Sequence, residues 1–226
     1  GKPALLPTAL SIPHGEIPKF VSVAILVDVP SISIIADGAY EIWNGSKRDI
    51  LSSGEGPFKA VVRPQESGIE TDGELYPEKS LVFEPSSGSV QIDKRRYQGR
   101  IRILKGSDRK LTAINDIEMD EYLKGVLPLE VHEDWPAEAL KAHAVVSRTF
   151  ALFKSFEKKG ADFSLRDTVH SQVYGGSLFH KEATDQAIKA TKGEILTFQG
   201  EIFPAYFHAA CGGQTAQADQ VWPVEP

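Results

Sequence analysis

From about residue 20 to residue 102 apolar and polar residues alternate in short runs, of which VSVAIL, SISIIA, AYEIW, FKAVVR, SLVFEP and RIRIL are the clearest. A period of two sends every second side chain to one face, so each run predicts a half-buried β-strand. The clusters ADG, NGS, SSGEGP, TDG and PSSGS between them supply turn residues. One more strand is expected over 111–117, and then the pattern turns helical, at 119–126, 136–158 and 181–192. The middle helix has Asp134 as its expected N-cap, Pro136 in its first turn and Glu138 close behind. Its residues Ala139, Ala142, Val146, Phe150 and Phe153 recur at steps of three and four and predict a buried stripe. Lys158, Lys159 and Gly160 provide a basic last turn and a glycine stop. Strands are expected again over 194–199 and 202–210.

This order predicts an α+β protein. A small all-β N-terminal domain, a barrel or sandwich, is expected over 18–106, and an α+β domain over 107–226. The last residues, VWPVEP, carry no stop signal, so the second domain is expected to continue beyond residue 226. With 41% hydrophobic and 25% charged residues the composition is that of an ordinary globular protein, neither disordered nor membrane-embedded. No run approaches the roughly 20 apolar residues of a spanning helix. The opening GKPALLPTALSIP has no basic n-region and no long apolar h-region, so it does not read as a signal peptide. The net charge of −6, with Lys and Arg scattered, lacks the basic patch of a nucleic-acid binder. A single cysteine, Cys211, excludes an intrachain disulfide.

The chemistry concentrates in YLKGVLPLEVHEDWPAEALKAHAVVSRT, residues 122–149. Glu130 follows Val126, Leu127, Pro128 and Leu129 and precedes Val131, so its backbone neighbours are apolar. Desolvation disfavours the charged carboxylate, and an acid kept protonated near neutral pH can hand a proton to a leaving group. From these residues alone, an exposed glutamate in a helix-to-helix connection is the competing reading, since Glu is mostly a surface residue.

Four blocks, YLKGVLPLEV, WPAEALKAHAVVSRTFAL, DTVHSQVYGG and PAYFHAACGGQT followed by VW, resemble in type and order the SpoIID/LytB family, named for a stage II sporulation protein D and an amidase enhancer. The resemblance covers roughly residues 117–222 and extends more weakly to the β-rich half. It implies a bacterial cell-envelope protein, outside the cytoplasm, that acts on peptidoglycan glycan strands. Enzymes of this type are lytic transglycosylases, which cut between N-acetylmuramic acid and N-acetylglucosamine, leave a 1,6-anhydro end and favour strands stripped of stem peptides. The family's catalytic acid stands in a Pro-small-Glu-Met motif, here Pro128-Leu129-Glu130-Val131, with Leu129 and Val131 as departures that keep the site apolar. A transglycosylase needs one acid/base because the sugar's own C6 hydroxyl is the nucleophile, whereas glycosidases that hydrolyse usually need two carboxylates.

The resemblance further implies substrate-binding roles for Lys141, Arg148, His170, Gln172, Tyr174, His208, Gly212, Gly213 and Thr215. Lys141 and Arg148 lie two helical turns apart, and each has an alternative as a solvated lysine or a structural ion-pair partner. Some members hold a metal through Cys-x-x-x-x-His-Cys; here His170 remains, but Leu165 and Ser171 stand where the cysteines would be, so neither metal nor cofactor is expected. A site built from His170, His208 and Cys211 is the remaining metal alternative. His132 and His143 lie close enough in sequence to tune Glu130, or are a solvated and a core-edge histidine. Two rivals to the transglycosylase stay open: a non-catalytic glycan-binding enhancer of an N-acetylmuramoyl-L-alanine amidase, and a peptidase with Cys211 as nucleophile.

Overall fold

The structure, a computed structural model, describes residues 10–11, 17–86, 88–169, 171–208 and 212–215. In chain order the strands of the first half are β1 (Leu10–Ser11), β2 (Phe20–Val29), β3 (Ile32–Ala36), β4 (Tyr40–Asn44), β5 (Ile50–Gly54), β6 (Phe58–Gln65), β7 (Gly68–Thr71), β8 (Glu74–Tyr76), β9 (Ser80–Pro85), β10 (Val90–Ile92), β11 (Arg95–Tyr97) and β12 (Arg100–Lys105). The second half has β13 (Leu111–Glu118), α1 (Met119–Lys124), α2 (Leu127–Glu130), α3 (Ala137–Glu157), β14 (Leu165–Arg166), a 3-10 turn (Gly176–Phe179), α4 (Glu182–Ala190) and β15 (Glu201–Ile202). One sheet runs β14-β2-β13-β12-β9-β4-β5 and a second β11-β10-β3-β6-β7-β8, while β1 pairs with β15.

Alternation builds the sheets as the pattern demands: β12 turns Ile101 and Ile103 inward, and β3 turns in Ile32, Ile34 and Ala36. The four isoleucines join one apolar cluster that also contains Tyr122, Leu123, Val126, Leu127 and Phe153 from the helical half. Each such side chain contributes roughly 1.5–3 kcal/mol through burial. The architecture is therefore an all-β first half followed by an α+β second half. The boundary expected at 106/107 lies in the β12–β13 turn, and the antiparallel ladder from Arg100↔Asp116 to Lys105↔Leu111 closes over it. On its other edge β13 pairs with β2.

Strand β13 is buried along nearly its whole length, polar residues included. Asp116 accepts hydrogen bonds from Arg102 Nε (2.7 Å), Arg102 Nη2 (3.1 Å) and Ser22 Oγ (2.6 Å), which satisfies a carboxylate that has left water. Asn115 donates from Nδ2 to Gln98 O at 2.8 Å.

Several sequence expectations are corrected. The strands expected over 194–199 and 202–210 reduce, among the described residues, to β15 and a bridge between Phe198 and Glu201; residues 209–210 lie outside them. Ile202 and Ala205 are inside, three residues apart and so out of step with a strand's period of two, while Leu196 N–H goes to the Thr149 side chain at 2.9 Å instead of to a ladder. Asp134 does not cap α3: Pro136 stands at that position, without any side-chain cap, and its carbonyl receives the Ala139 and Leu140 N–H groups. The buried face of α3 is Leu140, Ala144, Ser147 and Ala151, and from Ser147 to Phe153 every residue is inside. Ala142 is exposed, and Ala139 and Val146 are only half-buried. The stripe is rotated because Arg148, a polar residue outside the apolar pattern, is buried by partners that only the fold supplies, and Ser147 goes in beside it with its hydroxyl unpaired among the described residues.

Candidate active site

Helix α1 is pinned by buried Tyr122 and Leu123 and ends at Gly125, whose N–H bonds Tyr122 O at 3.0 Å. Glycine is required here, because a Cβ would come within 2.6 Å of the Tyr174 ring and 2.7 Å of Gly176 O. The single turn α2 follows, with Pro128 in its first turn, where a missing N–H costs nothing. Val126, Leu127 and Val131 are buried around it, and Val131 leaves in extended conformation. Glu130 closes the turn and is half-buried, its carboxylate at the edge of the core rather than enclosed in it.

Facing it is the segment 171–174, which alternates sides. Gln172 and Tyr174 point into the core, at 1% exposure each, while Ser171 and Val173 line a cleft. Val173 N–H donates to Glu130 Oε1 at 3.1 Å. The cleft, about 250 Å³, is lined by Glu130, Phe150, Val169, Ser171, Val173, Tyr206 and Phe207. Phe150 lies 6.0 Å from the Tyr206 ring and 6.5 Å from the Phe207 ring, and His143 meets Phe207 edge-on at 4.7 Å. Burial holds the His143 pKa below its usual value, and its Nε2 has no partner among the described residues. The described lining thus combines one carboxylate with an aromatic wall, a surface suited to the apolar faces of a sugar ring.

Residues 107–198 match the family described as Stage II sporulation protein, SpoIID. An uncharacterised protein of Brachyspira hyodysenteriae is 30% identical over 201 residues, 88% of this chain and 54% of that protein. The amidase enhancer of Bacillus subtilis is 32% identical over 61% of this chain and 19% of its own length. Stage II sporulation protein D of Bacillus amyloliquefaciens is 31% identical over 49% of this chain and 36% of its own. The chain belongs to the SpoIID/LytB family. It spans from a fifth to about half the length of these relatives. No solved structure matches it significantly.

Within this SpoIID/LytB chain the expected site residues do not all converge on the cleft. Lys141 pairs with Glu138 at 2.7 Å, one turn back on α3. Arg148 is buried and committed: Nε and Nη2 hold Asp120 Oδ1 at 3.2 and 3.1 Å, and Nη1 reaches Glu194 O at 3.1 Å. Gln172 accepts from Tyr122 O–H (3.2 Å) and donates to Ser147 O (3.4 Å). Tyr174 O–H donates to Asn115 Oδ1 at 2.8 Å, and its ring packs on Tyr97 and Tyr122. Burial first, then the neighbouring Tyr174 and Glu130, raises the Tyr122 phenol well above its usual range, which keeps it a donor. Both phenols therefore brace the segment from behind.

His208, Gly212, Gly213 and Thr215 are exposed, and Gly213 takes a left-handed φ of +104° that favours glycine. His170 and Cys211 lie outside the described residues. Among the described residues no group of three or more His, Asp or Glu is arranged to hold a metal. No described helix is long and apolar enough to cross a membrane. Nothing in the sequence pattern marks the cleft wall itself, Phe150, Val169, Tyr206 and Phe207. By sequence Phe150 belongs to the apolar stripe of α3, and Val169, Tyr206 and Phe207 carry no reactive group that singles them out.

Proposed function

We propose that this chain is a peptidoglycan lytic transglycosylase, located outside the cytoplasm, with Glu130 as acid and then base. The observation that carries the reading is a lone carboxylate in an aromatic-walled cleft. Two-carboxylate hydrolysis needs a second acid about 5–10 Å away, and the described lining offers none. Glu130 protonates the glycosidic oxygen as the bond to C1 breaks. As carboxylate it then takes the proton of the C6 hydroxyl, which closes on C1 to give the 1,6-anhydro ring. Because that nucleophile belongs to the same sugar, the closure is intramolecular and favoured by proximity. In this reading Phe150, Tyr206 and Phe207 face the sugar, and His208, Gly212, Gly213 and Thr215 extend the groove.

The relative named amidase enhancer supports a second reading, in which the same cleft binds denuded glycan and presents it to an amidase. Mass spectrometry of muropeptides from stripped glycan strands separates the two. The unmutated protein should produce anhydromuramoyl ends, and Glu130→Gln should lose at least about 100-fold in rate, the lower end of what a general acid contributes. Ends formed equally by Glu130→Gln would sink the transglycosylase. Glycan bound without any such ends, while an added amidase accelerates, would establish the enhancer.

A further inference from the structure

The segment that meets Glu130 is held from several directions, and much of that hold comes from the β-rich first half, upstream of the 107–198 match. Strand β14 starts it, pairing in parallel with β2, and Asp167 N–H continues to Ala24 O at 3.2 Å. Arg95 of β11 grips Asp167 Oδ2 at 3.0 Å. Ser177 Oγ donates to Arg96 O at 3.0 Å, and Gly176, at φ +68°, lies so close to that carbonyl that no Cβ would fit. Between these anchors Tyr174 reaches Asn115, and Gly175 N–H bonds Gly125 O at 3.0 Å, next to the turn that carries Glu130. Val173 is thus suspended between two buried neighbours, with its N–H directed at one carboxylate oxygen.

We infer that Tyr174 with Asn115, backed by the β10–β11 hairpin through Arg95, forms a positioning device that dedicates Glu130 Oε1 to Val173 N–H and leaves Oε2 as the oxygen that moves the proton. The inference rests on the reading of Glu130 as acid/base. An N–H at 3.1 Å takes a lone-pair position of Oε1 and restrains the rotation of the carboxyl group. The proton delivered to the glycosidic oxygen, and the one recovered from the C6 hydroxyl, both travel on Oε2. Tyr174 is then a positioning residue that acts through the backbone, not a sugar contact. The first half of the chain is part of the catalytic apparatus.

Tyr174→Phe keeps the ring between Tyr97 and Tyr122 and removes only the hydroxyl. On stripped glycan its KM should stay within about twofold while kcat falls about 10-fold, since an ångström of misplacement can cost up to about 100-fold. Amide hydrogen exchange at Val173 should quicken in the same variant, with β12 and β13 unchanged, a readout that needs no turnover. Arg95→Gln, at a half-exposed position, should show the same split more weakly, and it decides alone if Tyr174→Phe does not fold. A raised KM with kcat unchanged would make Tyr174 a sugar contact and overturn the inference, as would unchanged exchange at Val173. If Glu130→Gln is inactive while both positioning variants match the parent, the inference fails and the acid/base reading stands. If Glu130→Gln is active, that reading fails, and the exchange data alone judge the geometry.

Discussion

His143 shows how one buried group couples stability to pH. Burial depresses its pKa below the ordinary 6.5, so the folded protein favours neutral imidazole while the unfolded chain protonates first as pH falls. Stability is thus full above about pH 6.5 and declines as pH drops toward the depressed value. Replacing His143 with Leu should flatten that acid limb in thermal melts between pH 5 and 7. A limb of undiminished slope would assign the loss to other groups. The same residue touches Phe207 of the cleft wall, so acidification acts close to the site.

At the scale of elements, Arg148 is a clamp. From α3 it holds Asp120 of α1, the Ile188 carbonyl of α4 at 3.3 Å and Glu194 O beyond that helix. Its motif position suggested a sugar ligand, yet its donors face structural acceptors and the cleft lining does not include it. Arg148→Met should cost about 3–5 kcal/mol, because it leaves Asp120 and buried carbonyls without their partner. Urea unfolding would show this as a lowered midpoint, and a loss under about 1 kcal/mol would mean that water replaces the guanidinium. The packing around the Gln172–Tyr174 segment follows the same logic, since interior phenols need acceptors and find them in other elements, Tyr122 of α1 at Gln172 and Tyr174 at Asn115 of β13.

For the whole molecule, the β12–β13 hairpin decides how the chain divides. A fragment beginning at residue 107 would strip β13 of β12 on one edge and β2 on the other and would open the shared apolar cluster. Such a fragment should express as aggregate or show little protected amide exchange, because two bare edges are pairing templates. A soluble, cooperatively melting 107–226 fragment would establish an autonomous second domain. The test also bears on the positioning device, since Arg95 and Tyr97 are absent from that fragment.

Alternation and helical period were enough to locate the long strands, the three main helices and the α+β order, because burial on one face leaves a regular imprint on residue type. Strands β7, β8, β10 and β11, three or four residues each, were too short to leave one, and β5 ends in Ser52, Ser53 and Gly54, part of a cluster that reads as a turn. The Glu130 motif, likewise, was legible as local chemistry in an apolar setting. Tertiary structure alone decided which residues meet it. The Val173 N–H that reaches Glu130 belongs to a backbone, invisible to side-chain pattern, and Gln172, Tyr174 and Arg148 face inward because distant residues, Tyr122, Asn115 and Asp120, satisfy them. A polar residue's position in the chain says what it can bond; only folding brings the partner that determines whether it faces water, core or substrate.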